Sequence, residues 1–201
     1  MTAKRILDVT LSGTGLLISA PLWALIAAAI KLQDNGPVFY SQRRVGERGR
    51  TFDALKFRSM IPDAERGLGP VQAADQDPRV TRIGRLLRAT AMDELPQLWN
   101  IFRGDMSFVG PRALRPDEID DAGGVPVPLQ RIPGFSERCA VPPGLTGIAQ
   151  IYAARDISRR QKFRLDRLYI RRRSFLLDLR LILVSFWITM RGTWEARERK
   201  F

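Results

Sequence analysis

The chain has 201 residues, 45% of them hydrophobic and 27% charged, which suits one domain with a real core and shows no repeat or low-complexity linker. It has no histidine and one cysteine, Cys139, so an internal disulfide and a cysteine-rich zinc site are excluded and the thiol reads as a plain one in a reducing compartment. Lysine and arginine number 33 against 21 aspartates and glutamates, a formal charge of +12, and such a surface seeks phosphate, whether of nucleic acid or of anionic lipid.

The first predicted element is apolar. Lys4 and Arg5 precede it, Lys31 follows it, and Val9 to Ile30 supplies 22 residues without a charge. At the helical rise this run reaches about 33 Å, enough for a bilayer core of about 30 Å. Pro21, just after Ser19 and Ala20, leaves two forms open. One is a straight span with a tolerated proline. The other is a re-entrant pair of legs meeting at Ser19-Ala20-Pro21, with the Ser12 or Ser19 hydroxyl partnering freed backbone groups. Cations at both ends place both on the cytoplasmic side if the positive-inside tendency holds. A cleaved signal peptide fits less well, because the run is long and a strongly basic domain follows.

Next comes a β-hairpin: Val38 to Gln42 is strand-like, Gly46 and Gly49 supply the turn, and Thr51 to Phe57 returns carrying Lys56, with Arg58 beyond. Two such cations ordinarily mark only an exposed strand face. Residues 61–78, with Gly67, Gly69, Pro70, Asp75 and Asp77, read as a surface loop. Gly84 to Thr90 reads as a helical turn with Arg82, Arg85 and Arg88 spaced by three, each of which alone would face water. Thr90 caps a new helix start in which Pro96 fits the first turn and apolar residues recur through Leu98, Trp99 and Phe102. Asp93 and Glu94 lie there, where outward-pointing amides favour an ionised aspartate and also attract phosphate. An isolated Asp-Glu pair is usually a helix cap with a solvated glutamate. Here a glycine-rich turn from Gly104 to Arg112 follows closely.

From Ala113 to Val141 several prolines, Gly123-Gly124 and the acids Asp117, Glu118, Asp120 and Asp121 read as loop, the acids as solvated. Arg155 to Arg180 carries ten cations against three aspartates, interleaved with Phe163, Leu168, Tyr169 and Phe175, which reads as an interfacial amphipathic helix. Leu181 to Met190 is too short to span and suits core burial or shallow insertion beside Trp187 and Trp194.

Ordered motifs join these segments: Lys4-Arg5, Gly36-Pro37-Val38-Phe39 with Gln42, Arg44-Val45-Gly46, Lys56-Phe57-Arg58-Ser59-Met60, Arg79-Val80-Thr81-Arg82-Ile83-Gly84, Asp93-Glu94-Leu95-Pro96-Gln97-Leu98, Met106 to Arg112, Pro143-Gly144-Leu145-Thr146-Gly147 with Gln150, and the set Asp166, Tyr169, Ser174 and Asp178. Together they resemble the bacterial sugar transferase family, the small monotopic polyprenyl-phosphate phosphoglycosyl transferases, over nearly the whole chain. The resemblance implies a mainly helical α+β fold. Residues 1–33 would form a re-entrant helix-break-helix with Lys4, Arg5, Ser19 and Pro21 at the membrane. Residues 34–201 would form a catalytic domain on the cytoplasmic face of the bacterial inner membrane, with a small β-hairpin and interfacial helices.

The activity implied is transfer of a sugar 1-phosphate from a UDP-sugar to polyprenyl phosphate with release of UMP. Asp93 would be the nucleophile, forming a phosphoaspartyl sugar. Glu94 would hold Mg2+, Lys56 would neutralise phosphate, and Asp166 would act as base or orienting group. Substrate would be bound by Gly110, Pro111, Arg112, Arg58 and Thr146. Two positions depart from the family pattern: Pro142 stands where a basic residue is usual, leaving Arg138 or Arg155 for that nucleotide contact, and Ala113 replaces a second proline after Arg112. Phospholipids are expected partners and nucleic acid is not, while oligomeric state, a homodimer included, stays open. A membrane-associated nucleic-acid binder or a non-catalytic scaffold is the alternative class; either would be indifferent to Asp93.

Overall fold

The computed structural model describes residues 2–64, 77–120, 126–154 and 157–191. The first element, α1, runs from Ala3 to Asp34, 32 residues, with the Thr2 hydroxyl accepting from the Arg5 amide and Asn35 closing it in the left-handed region. It is one uninterrupted helix, which corrects the expected helix-break-helix: Pro21 lies inside it. A proline removes one backbone hydrogen bond but its φ is helical, so the ladder resumes on either side. The two serine hydroxyls do not bridge a break either. Ser12 Oγ donates to Asp8 O and Ser19 Oγ to Gly15 O, each at 2.6 Å, while Trp23 Nε1 donates to Ser19 Oγ at 3.0 Å. Such back-bonding bends helices without ending them.

Both ends of α1 dock on the same body. Near its start, the Arg5 guanidinium donates to the carbonyls of Ile101 and Phe102, both at 2.6 Å. Near its end, Ile26 and Ile30 pack with Phe57 and Leu87, and Asp34 is paired with Arg58. The helix therefore lies along the domain. Its outward face stays apolar, with Leu17 79%, Ile18 75% and Leu25 68% exposed.

The expected hairpin is present as β1 (Phe39–Val45) and β2 (Thr51–Phe57), antiparallel, with Tyr40 opposite Lys56 and Arg44 opposite Phe52. Arg48 and Gly49 take positive φ in the turn. Asp77 is buried and paired with Arg79 rather than solvated; Gly67, Gly69, Pro70 and Asp75 lie outside the described residues. Helix α2 spans Arg82–Ala89, capped by Thr81, and Gly84 is its contact with the hairpin side, since a Cβ there would lie 1.9 Å from Ser59 O. Helix α3 (Gln97–Arg103) ends at Gly104 with φ 102.

The glycine-rich turn expected from Gly104 to Arg112 contains a strand. Ser107–Val109 forms β3, and it pairs in parallel with a later strand, Gly144–Thr146. Between them the expected loop carries a two-stranded antiparallel ribbon, β4 (Ile119–Asp120) and β5 (Val127–Pro128), followed by α4 (Phe135–Arg138). The acids are not all solvated: Glu118 is paired with Arg159; Asp121, Gly123 and Gly124 lie outside the described residues. Strand Gly144–Thr146 is β6, and α5 (Ile148–Tyr152) follows it.

The basic segment is two helices, α6 (Arg159–Arg172) and α7 (Phe175–Met190), not one. Ser158 with Gln161 forms a capping box and Ser174 caps the second helix, so local cap chemistry inserts a boundary that the charge pattern hides. Helix α7 has one buried side and one exposed apolar side. Leu181 and Ile188 are buried with Val109, Ile151 and Tyr169, while Leu176, Leu183, Phe186, Trp187 and Met190 stay exposed. Cys139 is buried, and burial raises its thiol pKa. Trp194 lies outside the described residues.

Candidate active site

The site starts from the hairpin register. Alternation puts Gln42, Arg44, Ala54 and Lys56 on one face, and Arg44, Ala54 and Lys56 line an open cleft together with Glu94, Gln97 and Arg112. Helix α3 is fastened to this face by Asn100, which is fully buried: its Nδ2 donates to Asp53 O at 2.8 Å, and its Oδ1 accepts from the Leu55 amide at 3.0 Å. One buried amide thereby fixes the distance between the strand carrying Lys56 and the segment carrying Asp93 and Glu94.

That segment is built differently from the expectation. Thr90 closes α2 instead of opening a helix, its hydroxyl donating to Leu86 O at 2.8 Å. Ala91 sits in the left-handed region at φ 54, and Met92–Glu94 forms a 3-10 turn leading to α3 through Pro96. The outward amide cradle is correspondingly reduced, because the Glu94 and Leu95 amides donate to the carbonyls of Ala91 and Met92, both at 3.2 Å. Positive charge reaches the carboxylates from side chains instead. Lys56 Nζ lies 2.5 Å from Glu94 Oε1 and 3.6 Å from Asp93 Oδ2. Burial opposes ionisation of Glu94, but Lys56, Arg112 and Arg44 overcome it and hold the carboxyl at about 2. Burial, Arg112 and Arg115 lower Arg44 to about 10, which leaves it charged at neutral pH.

Arg112 reaches the cleft from the β3–β6 pair. Gly110 N donates to Thr146 O and Gly144 N to Pro111 O, both at 2.9 Å. The approach requires glycine: a Cβ on Gly110 would lie 2.4 Å from Pro142 O, and one on Gly144 2.0 Å from Gly110 N. The Arg112 carbonyl accepts from Arg138 Nη2 at 2.6 Å, while its exposed guanidinium donates no hydrogen bond among the described residues. Thr146 is buried, and its hydroxyl oxygen has no hydrogen-bond partner among them.

Other expected site residues stand apart from the cleft. Asp166 is buried against Arg138, with Oδ2 3.0 Å from Nε, so it touches Arg112 only through Arg138. Burial raises the Asp166 pKa, against the pull of Arg138 and Arg159. Arg138 is engaged by this pairing and by the Arg112 carbonyl, and stacks on Phe163 at 4.6 Å. Arg58 is also buried, donating to Asp34 and, at 2.6 Å, to Pro37 O, where it ties α1 to the hairpin. Arg155 lies outside the described residues. Sequence reasoning missed Arg44 and Gln97 as cleft residues; continuing the strand alternation one step from Gln42 would have found the first.

Among the described residues no three carboxylate or thiol groups converge as a metal cage. The residues that would hold Mg2+ are Asp93 and Glu94, and one or two carboxylates are the protein donors this ion ordinarily takes beside phosphates. The ionised state of Glu94 suits it.

The family model described as bacterial sugar transferase matches residues 1–192. Over 192 residues the chain is 43% identical to the undecaprenyl-phosphate glucose phosphotransferase of Komagataeibacter xylinus, covering 92% of this chain but only 35% of that protein. It is 42% identical to the UDP-glucose:undecaprenyl-phosphate glucose-1-phosphate transferase of Caulobacter vibrioides, with 90% of this chain and 67% of that protein aligned. The exopolysaccharide production protein ExoY of Rhizobium meliloti is 38% identical, over 90% of this chain and 82% of its own. With the paired acids, their lysine and the two cleft arginines set on strands and turns that the matched region contains entire, the chain belongs to the bacterial sugar transferase family.

Proposed function

We propose that this protein transfers a sugar 1-phosphate from a UDP-sugar to undecaprenyl phosphate and releases UMP, as a step of polysaccharide assembly at the cytoplasmic face of the bacterial inner membrane. The observation that carries the reading is Lys56 Nζ, 2.5 Å from Glu94 and 3.6 Å from Asp93, in a cleft shared with Arg44 and Arg112. Names of the relatives supply the donor and acceptor classes.

An Asp93 carboxylate oxygen forms a bond to the sugar-bearing phosphorus. The bond from that phosphorus to the bridging oxygen breaks, and UMP departs with the electron pair. An oxygen of polyprenyl phosphate then attacks the same phosphorus and frees Asp93. The obstacle is repulsion between a carboxylate and a diphosphate, which Lys56, Arg44 and Arg112 reduce in a partly desolvated cleft. Glu94, with Asp93, would hold Mg2+, which when bound neutralises diphosphate charge. Asp166 acts through Arg138 as an orienting group for Arg112. Purified protein in nanodiscs with Mg2+, undecaprenyl phosphate and a panel of UDP-sugars is expected to release UMP with at least one donor; release from none would remove the assignment.

The acceptor's tail stays in the bilayer, so the nucleophile must be held at headgroup height. Two features support a monotopic seat: α1 offers exposed Leu17, Ile18 and Leu25 to lipid, and both of its ends dock on the catalytic body. With Cys139→Ser as background, Thr2→Cys and Asn35→Cys are expected to react with an impermeant thiol reagent from the same side of the membrane. Labelling from opposite sides would establish a straight span instead.

A further inference from the structure

Strand β3 has two edges. One pairs with β6. The other is occupied by side chains of α1: Asp8 Oδ1 accepts from the Phe108 amide at 3.0 Å and from Ser107 Oγ at 3.1 Å, and Lys4 Nζ donates to Val109 O at 2.9 Å. Lys4 and Asp8 are four apart, so they lie on one helix face and meet successive backbone groups of the strand as a neighbouring strand would. Lys4 is held in turn by Asp178 at 2.8 Å, and the Tyr169 hydroxyl lies 2.8 Å from Asp178 Oδ1 and 3.0 Å from Val109 O. Asp8 is only 4% exposed, and a carboxylate at the mouth of an apolar helix is costly to bury without a specific role.

The strand continues at once into Gly110-Pro111-Arg112, and this stretch has little slack. Gly110 is pressed against Pro142 and Gly144 without room for a Cβ, and the Arg112 carbonyl is clamped by Arg138. A shift of β3 at its α1 edge therefore reaches the Arg112 guanidinium in the cleft.

We infer that Asp8 is a positioning residue for donor binding: the membrane helix, through the Asp8 carboxylate on Ser107 and Phe108, sets the place of Arg112 against the donor's phosphates. This rests on the proposed transfer, since Arg112 is taken there to meet the diphosphate. The helix is then part of the catalytic apparatus and not only an anchor.

The test is steady-state kinetics in nanodiscs with the UDP-sugar donor that the wild type turns over. Asp8→Ala is expected to raise the donor KM about tenfold and to change kcat less than about threefold, since it misplaces a binding group. Asp8→Asn keeps an acceptor oxygen and is expected to stay within about threefold of wild type in both constants. Ser107→Ala, which removes one of the two contacts and leaves the fold intact if Asp8→Ala does not, is expected to move donor KM in the same direction by a smaller factor. In an Arg112→Lys background the Asp8→Ala effect on KM is expected to shrink below about threefold, because coupled sites are not additive. An undiminished effect in that background would overturn the inference, as would an unchanged donor KM in both Asp8→Ala and Ser107→Ala. A wild type inert toward every donor would overturn the transfer assignment and this inference together, whereas a working enzyme indifferent to Asp8 would overturn this one alone.

Discussion

Asp93→Asn is expected to abolish UMP release, by at least about 10³-fold in kcat, with no adduct formed and the fold retained. The substitution is nearly isosteric; it removes the carboxylate charge and puts a weakly nucleophilic amide oxygen in place of the attacking carboxylate oxygen. Asp93 is only 8% exposed and its Oδ2 stands 3.6 Å from Lys56 Nζ, so losing the charge also relieves burial and does not threaten stability. Near-normal thermal unfolding with no turnover separates a lost nucleophile from a lost structure. Turnover near wild-type level would remove Asp93 from the chemistry.

Lys56→Met is expected to cost both rate and stability. It deletes the cation that lies 2.5 Å from Glu94 and 3.6 Å from Asp93, leaving Arg112 and Arg44 as the cations acting on Glu94. Removal of one such electrostatic stabiliser lowers kcat by about 10²–10³-fold. Breaking a buried ion pair costs about 3–5 kcal/mol; with 20% of the Lys56 side chain exposed, about 2–3 kcal/mol is expected.

The stability effect carries a pH signature. Burial pushes Glu94 up, and Lys56 leads the charges that bring it down from its ordinary 4.5 to about 2. A depressed carboxylate contributes stability that is fully present above pH 4.5 and is lost as the pH falls through about 2. Without Lys56 the burial effect remains and the folded pKa rises, so that contribution disappears. Unfolding curves of wild type and Lys56→Met should therefore differ most above pH 4.5 and converge toward pH 2. A gap that is constant across that range would show that Lys56 stabilises through packing alone.

Much of this was legible in the residues because local chemistry and tertiary structure agree in particular places. The hairpin followed from two strand-like runs and two turn glycines, and the fold places Lys56 beside Asp93 and Glu94. Arg112 arrived in the same cleft. Thr90 misled because threonine serves either end of a helix: here its hydroxyl turns back on Leu86 and closes α2, and a positive φ at Ala91, a residue that rarely takes one, starts the next turn. The β3–β6 pair was hidden for another reason. Three-residue strands carry no periodicity, and their parallel partners lie far apart in sequence, so only the glycines at 110 and 144 hinted at a close approach.

Arg58 and Asp166 show a limit of motif reading. A motif marks which residues matter together without saying which of them touch substrate. Here Arg58 clamps Asp34 and Asp166 clamps Arg138, each in a buried pair whose energetic value lies in shape as much as in charge. Asp8 was overlooked for the opposite reason. It borders an apolar run and reads as its polar flank, and only the fold shows that it faces inward onto β3.

The most direct measurement is intact-protein and peptide mass spectrometry of the enzyme mixed with its UDP-sugar donor in the absence of acceptor. The account predicts one sugar phosphate attached at Asp93, formed together with UMP and discharged when polyprenyl phosphate is added. UMP appearing only when acceptor is present, with Asp93 never modified, would contradict it and indicate direct transfer between the two substrates.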